Sequence, residues 1–128
     1  GARRPGDFDG PTVGRWKAVA KLHDRARPLT RRLWRRFEET GIPMTRPLWL
    51  VDPALARSAH ADDEWLLGND LLVAPVLLEG ATTREVALPG GCWKLHGRGR
   101  AHRVPEITVD APIGSLPWFS RCGTRPLG

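Results

Sequence analysis

The sequence predicts a mixed α and β chain in two parts, a helix–strand unit followed by a small antiparallel β-sandwich. Three observations predict it. Apolar residues recur at helical spacing from Trp16 to Phe37. Beyond residue 68 the chain breaks into short apolar runs separated by Gly and Pro. The charge changes at the same place: residues 1–61 hold 13 bases and 6 acids, residues 62–128 hold 7 and 8. The chain has 128 residues, room for one domain or a piece of a larger one. The two parts are expected to be residues 1–68 and 69–128.

Each element follows from its residues. Asp9-Gly10-Pro11-Thr12 reads as a turn opening a helix, with Pro where its missing N–H costs nothing. Trp16, Val19, Leu22, Ala26, Leu29, Leu33 and Phe37 step by three or four and form one stripe. Pro28 should kink or split this helix, and Gly41 should cap it. Arg25, Arg31, Arg32, Arg35 and Arg36 lie mainly off the stripe and coat the solvent face. Pro43 to Val51 reads as a buried strand, weakened by Pro47. Residues 52–61 form a loop. Asp62 is placed to cap a short helix from Asp63 to Leu67, closed by Gly68. Strands are then expected at 71–78, 84–88, 92–95, 107–109 and 116–120, joined by Gly/Pro turns as in a sandwich.

Composition excludes several classes. Hydrophobic residues make up 41% and charged residues 27%, so the chain can fold. No apolar run reaches the roughly 18–20 residues of a membrane span. His23, His60, His96 and His102 are scattered and lack metal-ligand spacing, so no metal and no cofactor are expected. Cys92 and Cys122 make no disulfide scaffold. A bridge between them requires two strands to bring them together, and free thiols are the expectation.

The net charge of +6, with 17 of 20 bases being Arg, raises an anionic partner. A nucleic-acid helix concentrates bases over little apolar stripe. Here the stripe is long, so nucleic acid is not expected. A basic, non-catalytic module binding anionic surfaces remains the alternative reading. Gly97-Arg98-Gly99-Arg100 is read as a turn. Asp62-Asp63-Glu64 diverge around a helix axis and cannot flank one scissile bond. The residues alone contain no complete active site.

Three segments carry a resemblance: "GIPMTRPLWLVDP", "DDEWLLGNDLLVAPVLLEGATTREVALPGGCW" and "APIGSLPWFSR". They resemble the C-terminal part of glycoside hydrolase family 31. Its pattern runs G-x-P-x-x-R-P-L, D-x-Q-F-L-x-G-x-x-L-L-V-A-P-V, R-x-V-Y-L-P-x-G-x-W and P-x-F-x-R. "KLHDRARPLTRRLW" is similar to the family's long kinked helix, with Pro28 in the family's Pro position. The nearest look is to the branch of myogenesis-regulating glycosidase and SITS-binding protein. The chain departs from the pattern at Glu64 (family Gln), Trp65 (Phe or Leu), Ala87 (Tyr) and Arg27 (apolar).

The resemblance implies the last helix–strand elements of a (β/α)8 barrel followed by the sandwich, and a fragment of a longer chain. Residues 44–51 would be the eighth barrel strand. The family cleaves α-glycosidic bonds with retention, using two carboxylates about 5–5.5 Å apart. Both belong to earlier strands, so no catalytic residue lies here and the chain alone is expected to be inactive. Its partner would be a carbohydrate, met through the parent barrel. Barrel function sits at the C-terminal ends of strands, so Trp49 and Asp52 are the candidate sugar contacts. Arg46 would pair with a carboxylate inside the barrel. Asp62, Trp65 and Gly68 would shape the connection, and Trp93 and Trp118 would anchor the sandwich core.

Overall fold

The structure is a computed structural model. It describes residues 10–57, 63–76, 82–112 and 115–128, with side chains of 10–16, 56 and 57 left aside. Asp62 and the end of the strand expected at 71–78 lie outside the described residues.

Two helices open the chain, α1 (Gly10–Arg25) and α2 (Arg27–Thr40). The break falls at Ala26, with Pro28 in the first turn of α2. This is the division expected of Pro28, since its ring excludes a helix interior. Gly41 caps α2 in the left-handed region, its N–H donating to the Phe37 carbonyl at 2.8 Å.

The next segment corrects the expected strand over 43–51. Only β1 (Thr45–Pro47) is extended, and Leu48–Val51 forms a single helical turn, α3. Pro47 supplies no ladder donor, which fits the end of the strand there. A 3₁₀ turn follows at Pro53–Arg57. The helix expected at 63–67 is a second correction. Trp65–Leu67 is a strand, β2. It pairs with β1 (Pro47↔Trp65) on one side and with β3 (Leu71–Val73; Trp65↔Val73) on the other. Three apolar residues between two partners gain more from a ladder than from one turn of helix.

The remaining strands are β4 (Thr83–Ala87), β5 (Trp93–Leu95), β6 (Ala101–His102), β7 (Glu106–Asp110) and β8 (Trp118–Arg121). Among the described residues they form a six-stranded sheet, β1-β2-β3-β8-β5-β6, and a ribbon, β4-β7. All pairings are antiparallel. The larger sheet runs through residue 68, joining β1 and β2 to strands of the second part.

Period-two alternation builds two cores on opposite faces of the larger sheet. Leu66, Leu72, Trp93 and Phe119 point towards the ribbon and pack with Val86, Leu88 and Val109. Trp65, Leu67, Leu71, Val73 and Trp118 point the other way and meet Leu22, Leu29 and Leu33 of the helices. Trp93 is fully buried and anchors the sandwich core. Trp118 does not: it lies on the helix-facing side, because it is one residue from Phe119 and the pleat reverses there.

The cysteine expectation is also corrected. Cys92 and Cys122 form a disulfide across β5 and β8. The register Trp93↔Arg121 sets them opposite one another, and Cys122 N–H donates to the Cys92 carbonyl at 2.9 Å.

Gly68 turns β2 into β3 at φ +68°, and a Cβ there would sit 3.0 Å from Leu33 Cδ2. Both the backbone and the helix approach require glycine. Gly68→Ala is expected to cost about 1–3 kcal/mol, measured by urea denaturation. An unchanged midpoint would refute this reading.

Candidate functional site

The sugar-contact candidates lie on and after α3. Trp49 is 54% exposed, and Leu50 and Val51 beside it are also exposed, while Leu48 is buried in the sandwich core. One helical turn thus pins the segment with Leu48 and presents Trp49, Leu50 and Val51 outward. Asp52 follows and is committed to backbone. Its Oδ1 accepts Ala54 N–H at 3.2 Å and its Oδ2 accepts Gly90 N–H at 3.0 Å. The carboxylate therefore starts the 3₁₀ turn and ties it to the Pro89-Gly90-Gly91 turn. Trp49 is open to contact; Asp52 is an anchor.

A second exposed apolar face lies on α2. Trp34 and Phe37 stack with ring centroids 5.7 Å apart, and both are exposed. Only the middle of the expected stripe, Ala26 and Leu29 with half-buried Leu22 and Leu33, is covered; Val19 and Phe37 are exposed. Arg31, Arg32, Arg35 and Arg36 are exposed, as their spacing predicted.

Arg46 donates to the Pro43 carbonyl at 3.1 Å and to Asn69 Oδ1. Among the described residues its partners are a carbonyl and an amide, not a carboxylate. It joins the start of β1 to the β2–β3 turn. Trp65 is half-buried under the helices and Gly68 forms the turn. Trp93 Nε1 donates to the Pro89 carbonyl at 2.8 Å.

Arg121 is a junction the sequence reading missed. Its guanidinium lies 4.3 Å from the Trp93 ring centroid and donates to the carbonyls of Gly90 (3.1 Å) and Asn69 (3.1 Å). A Cβ on Gly91, at φ +113°, would fall 2.6 Å from Arg121 Nη1. The closing P-x-F-x-R pattern was the available signal: its Arg reaches the Gly pair of the preceding turn.

Arg84 is a second missed junction. Its side chain is 8% exposed, and it donates to the carbonyls of Pro75 (2.9 Å) and Asp63 (3.0 Å) and to Asp63 Oδ1 (2.7 Å). Beside it Glu64 is 2% exposed. Its Oε1 accepts Ala87 N–H at 2.7 Å, and Oε2 has no partner. Burial pushes the Glu64 carboxyl up to about 8, against the lowering by the Ala87 N–H and by Arg84; Asp63 and Glu106 raise it further.

Among the described residues no cluster of His, Cys, Asp and Glu is arranged to hold a metal. Nor is any helix long and apolar enough to cross a membrane. Glu64 is tied into the β4 ladder, and the exposed groups nearest the expected sugar face are apolar. The described part of the chain is a β-domain with exposed apolar side chains on α2 and on α3.

Comparison with known proteins gives this class its family. Residues 41–124 match the glycosyl hydrolase family 31 C-terminal domain. The chain belongs to glycosyl hydrolase family 31. It is 35% identical over 127 residues to a sulfoquinovosidase of Escherichia coli, covering 95% of this chain and 19% of the relative. It is 36% identical over 86 residues to the mouse myogenesis-regulating glycosidase, covering 67% of this chain and 12% of that protein. A family 31 α-xylosidase from a soil metagenome, solved with xylose, superposes with TM-score 0.75 at 30% identity. That match covers 98% of this chain and 19% of the xylosidase. The chain thus spans about a fifth or less of the relatives it matches.

Proposed function

We propose that this chain is the C-terminal portion of a retaining α-glycosidase-type protein and that it supports the fold without performing catalysis. One observation carries the reading: apolar side chains stand uncovered on two elements that precede the sandwich, Trp34 and Phe37 on α2 and Trp49, Leu50 and Val51 on α3. Large exposed apolar surface marks an interface. In this reading the interface is with the remaining elements of a (β/α)8 barrel, to whose C-terminal end α1, α2 and the segment around β1 belong, while β1 also pairs antiparallel with β2 in the larger sheet.

In this reading the sandwich clamps the end of the barrel. Arg46, Asp52, Arg121 and Trp93 hold the β2–β3 and Pro89–Gly91 turns together, so that Trp49 is presented from a fixed base. Trp49 is then the residue of this chain best able to stack on a sugar. The nucleophile and acid/base carboxylates belong to the part of the protein encoded upstream.

The test uses two chains. The 128-residue chain alone is expected to give no turnover of aryl α-glucosides, α-xylosides or α-sulfoquinovosides. A chain extended upstream to include the paired carboxylates should hydrolyse one of them with retention, followed by NMR of the anomeric product. Enzyme-like turnover by the short chain, or an upstream sequence lacking both carboxylates, would overturn the proposal.

A further inference from the structure

A groove on the helix-facing side gathers cations from three separate segments. Lys21 and Arg25 come from α1, Arg98 from the β5–β6 turn and Arg125 from the C-terminal turn. Two adjoining cavities of about 480 and 230 Å³ share Arg25, His96 and Trp118 as their common wall. No Asp or Glu side chain lines either cavity; Gly128, which carries the terminal carboxylate, lies at the far end of the smaller one beside Arg125. Asp24, the acid nearest in sequence, is turned to Arg27 at 3.1 Å. Among the described residues none of the four cations has a carboxylate partner.

The wall between the cavities is aromatic. Arg25 sits 5.3 Å from the Trp118 ring centroid, and the His96 ring is tilted against the same indole at 5.4 Å. Gly97 lies against the indole edge, where a Cβ would come within 3.4 Å. His96 has φ +53°, the one non-glycine residue in that region among those described. Such conformations are held where the surroundings over-determine them, and they concentrate at binding sites. His96 N–H donates to the Trp118 carbonyl at 2.8 Å, which fixes the turn on the strand.

We propose that this groove binds a saccharide bearing anionic substituents, sulfate or carboxylate. Guanidinium groups offer paired donors to oxyanions, and they are spread along the groove rather than gathered at one point. A single inorganic anion would engage one end only. Two cavities of this size accommodate a disaccharide, with its charged groups on the cations and the C–H face of one ring on the Trp118 edge. Neighbouring like charges repel, so a ligand that neutralises them relieves a cost the free protein carries. His96 reports this field. Burial lowers its titration, and Arg98 and Arg25 lower it further, opposed by a hydrogen bond at the Leu116 backbone. The inference does not depend on the activity of the whole protein.

The test is calorimetric titration of the 128-residue chain with a disulfated heparin disaccharide, with digalacturonate, with maltose and with inorganic sulfate. The charged saccharides are expected to saturate at one site, maltose not to bind, and inorganic sulfate to bind far more weakly. Which of the two charged saccharides binds more tightly identifies the substituent. Arg25→Ala with Arg98→Ala should weaken binding about 100-fold, at about tenfold per charged hydrogen-bond partner. Both side chains are exposed, so the variant should fold, and Arg125→Ala gives an independent loss from the far end. The His96 ring protons should titrate at higher pH in the complex. No saturable binding, equal affinity for inorganic sulfate, or unchanged binding by the variants would each overturn the proposal.

Discussion

Glu64→Gln is expected to stabilise the protein at alkaline pH and to leave it nearly unchanged at pH 5. Glu64 is buried, with one oxygen on Ala87 N–H and the other without a partner. Arg84 does not rescue it. Its terminal nitrogens are taken by the carbonyls of Pro75 and Asp63 and by the Asp63 carboxylate, so its charge is already matched. Desolvation therefore dominates and raises the carboxyl to about 8, above the lowering by Ala87 and Arg84. At neutral pH the group is a protonated acid.

The sign of the pH effect follows. In the unfolded chain the carboxyl ionises near its model value of 4.5; in the folded chain it holds its proton until about 8. Between these values the unfolded state binds fewer protons, so stability falls as pH rises. The contribution is fully present below about 4.5 and lost by the time pH has passed through about 8. The loss is on the order of 3–5 kcal/mol, a large part of what a domain of this size holds. Gln at this position is neutral at every pH and keeps the acceptor for Ala87 N–H. Urea denaturation of both proteins at pH 5, 7 and 9 checks this. Parallel curves for wild type and Glu64→Gln would refute the account.

The family pattern places Gln where this chain has Glu64, and that departure was visible in the sequence. Its meaning was not. Burial of Glu64 depends on β2 being a strand, which turns residues 64 and 66 towards the ribbon. The sequence offered a different local grammar: Asp-Asp-Glu ahead of three apolar residues and a glycine has the look of a short capped helix. The competing evidence, pairing with β1 and β3, is long-range and leaves no local mark.

Elements with local punctuation were legible. Pro28 divides the helices and Gly41 ends the second, because a missing N–H and a left-handed cap act within one turn. The sandwich strands were legible from the Gly and Pro turns between them. Convergent features were not. Arg121 reaches Gly90 and Asn69 across 31 and 52 residues of sequence. The basic groove needs α1, the β5–β6 turn and the C-terminal turn in one place. Gly97-Arg98-Gly99-Arg100 read as a solvent turn, and it is one, yet Arg98 also completes that groove. Trp118 illustrates the same limit: its aromatic character was evident, but its face depended on the register of β8.

Reduction of the Cys92–Cys122 bridge is expected to lower stability by about 3–4 kcal/mol, the loop entropy of a closure across 30 residues. The bridge joins the start of β5 to the end of β8, and the enclosed segment contains β5, β6, β7 and β8. In the folded state little should change. The strands remain paired through Cys122 N–H and the Cys92 carbonyl, and both residues are only half-buried, so removing the sulfur–sulfur bond opens no deep cavity. The effect arises in the unfolded chain, which regains the freedom of the enclosed segment. A paired Cys92→Ser and Cys122→Ser variant should therefore melt roughly 10–15 °C lower than the oxidised protein, at about 3–5 °C per kcal/mol for this length. The wild type in excess reductant should melt with the variant. Calorimetry of the three samples decides it. Equal melting of oxidised and reduced protein would mean that the bridge closes only a segment already constrained in the unfolded state. A reduced protein with altered β5–β8 amide exchange before melting would instead place the effect in the native sheet. The expected result is neither: unchanged native exchange in that strand pair, together with a lower melting temperature.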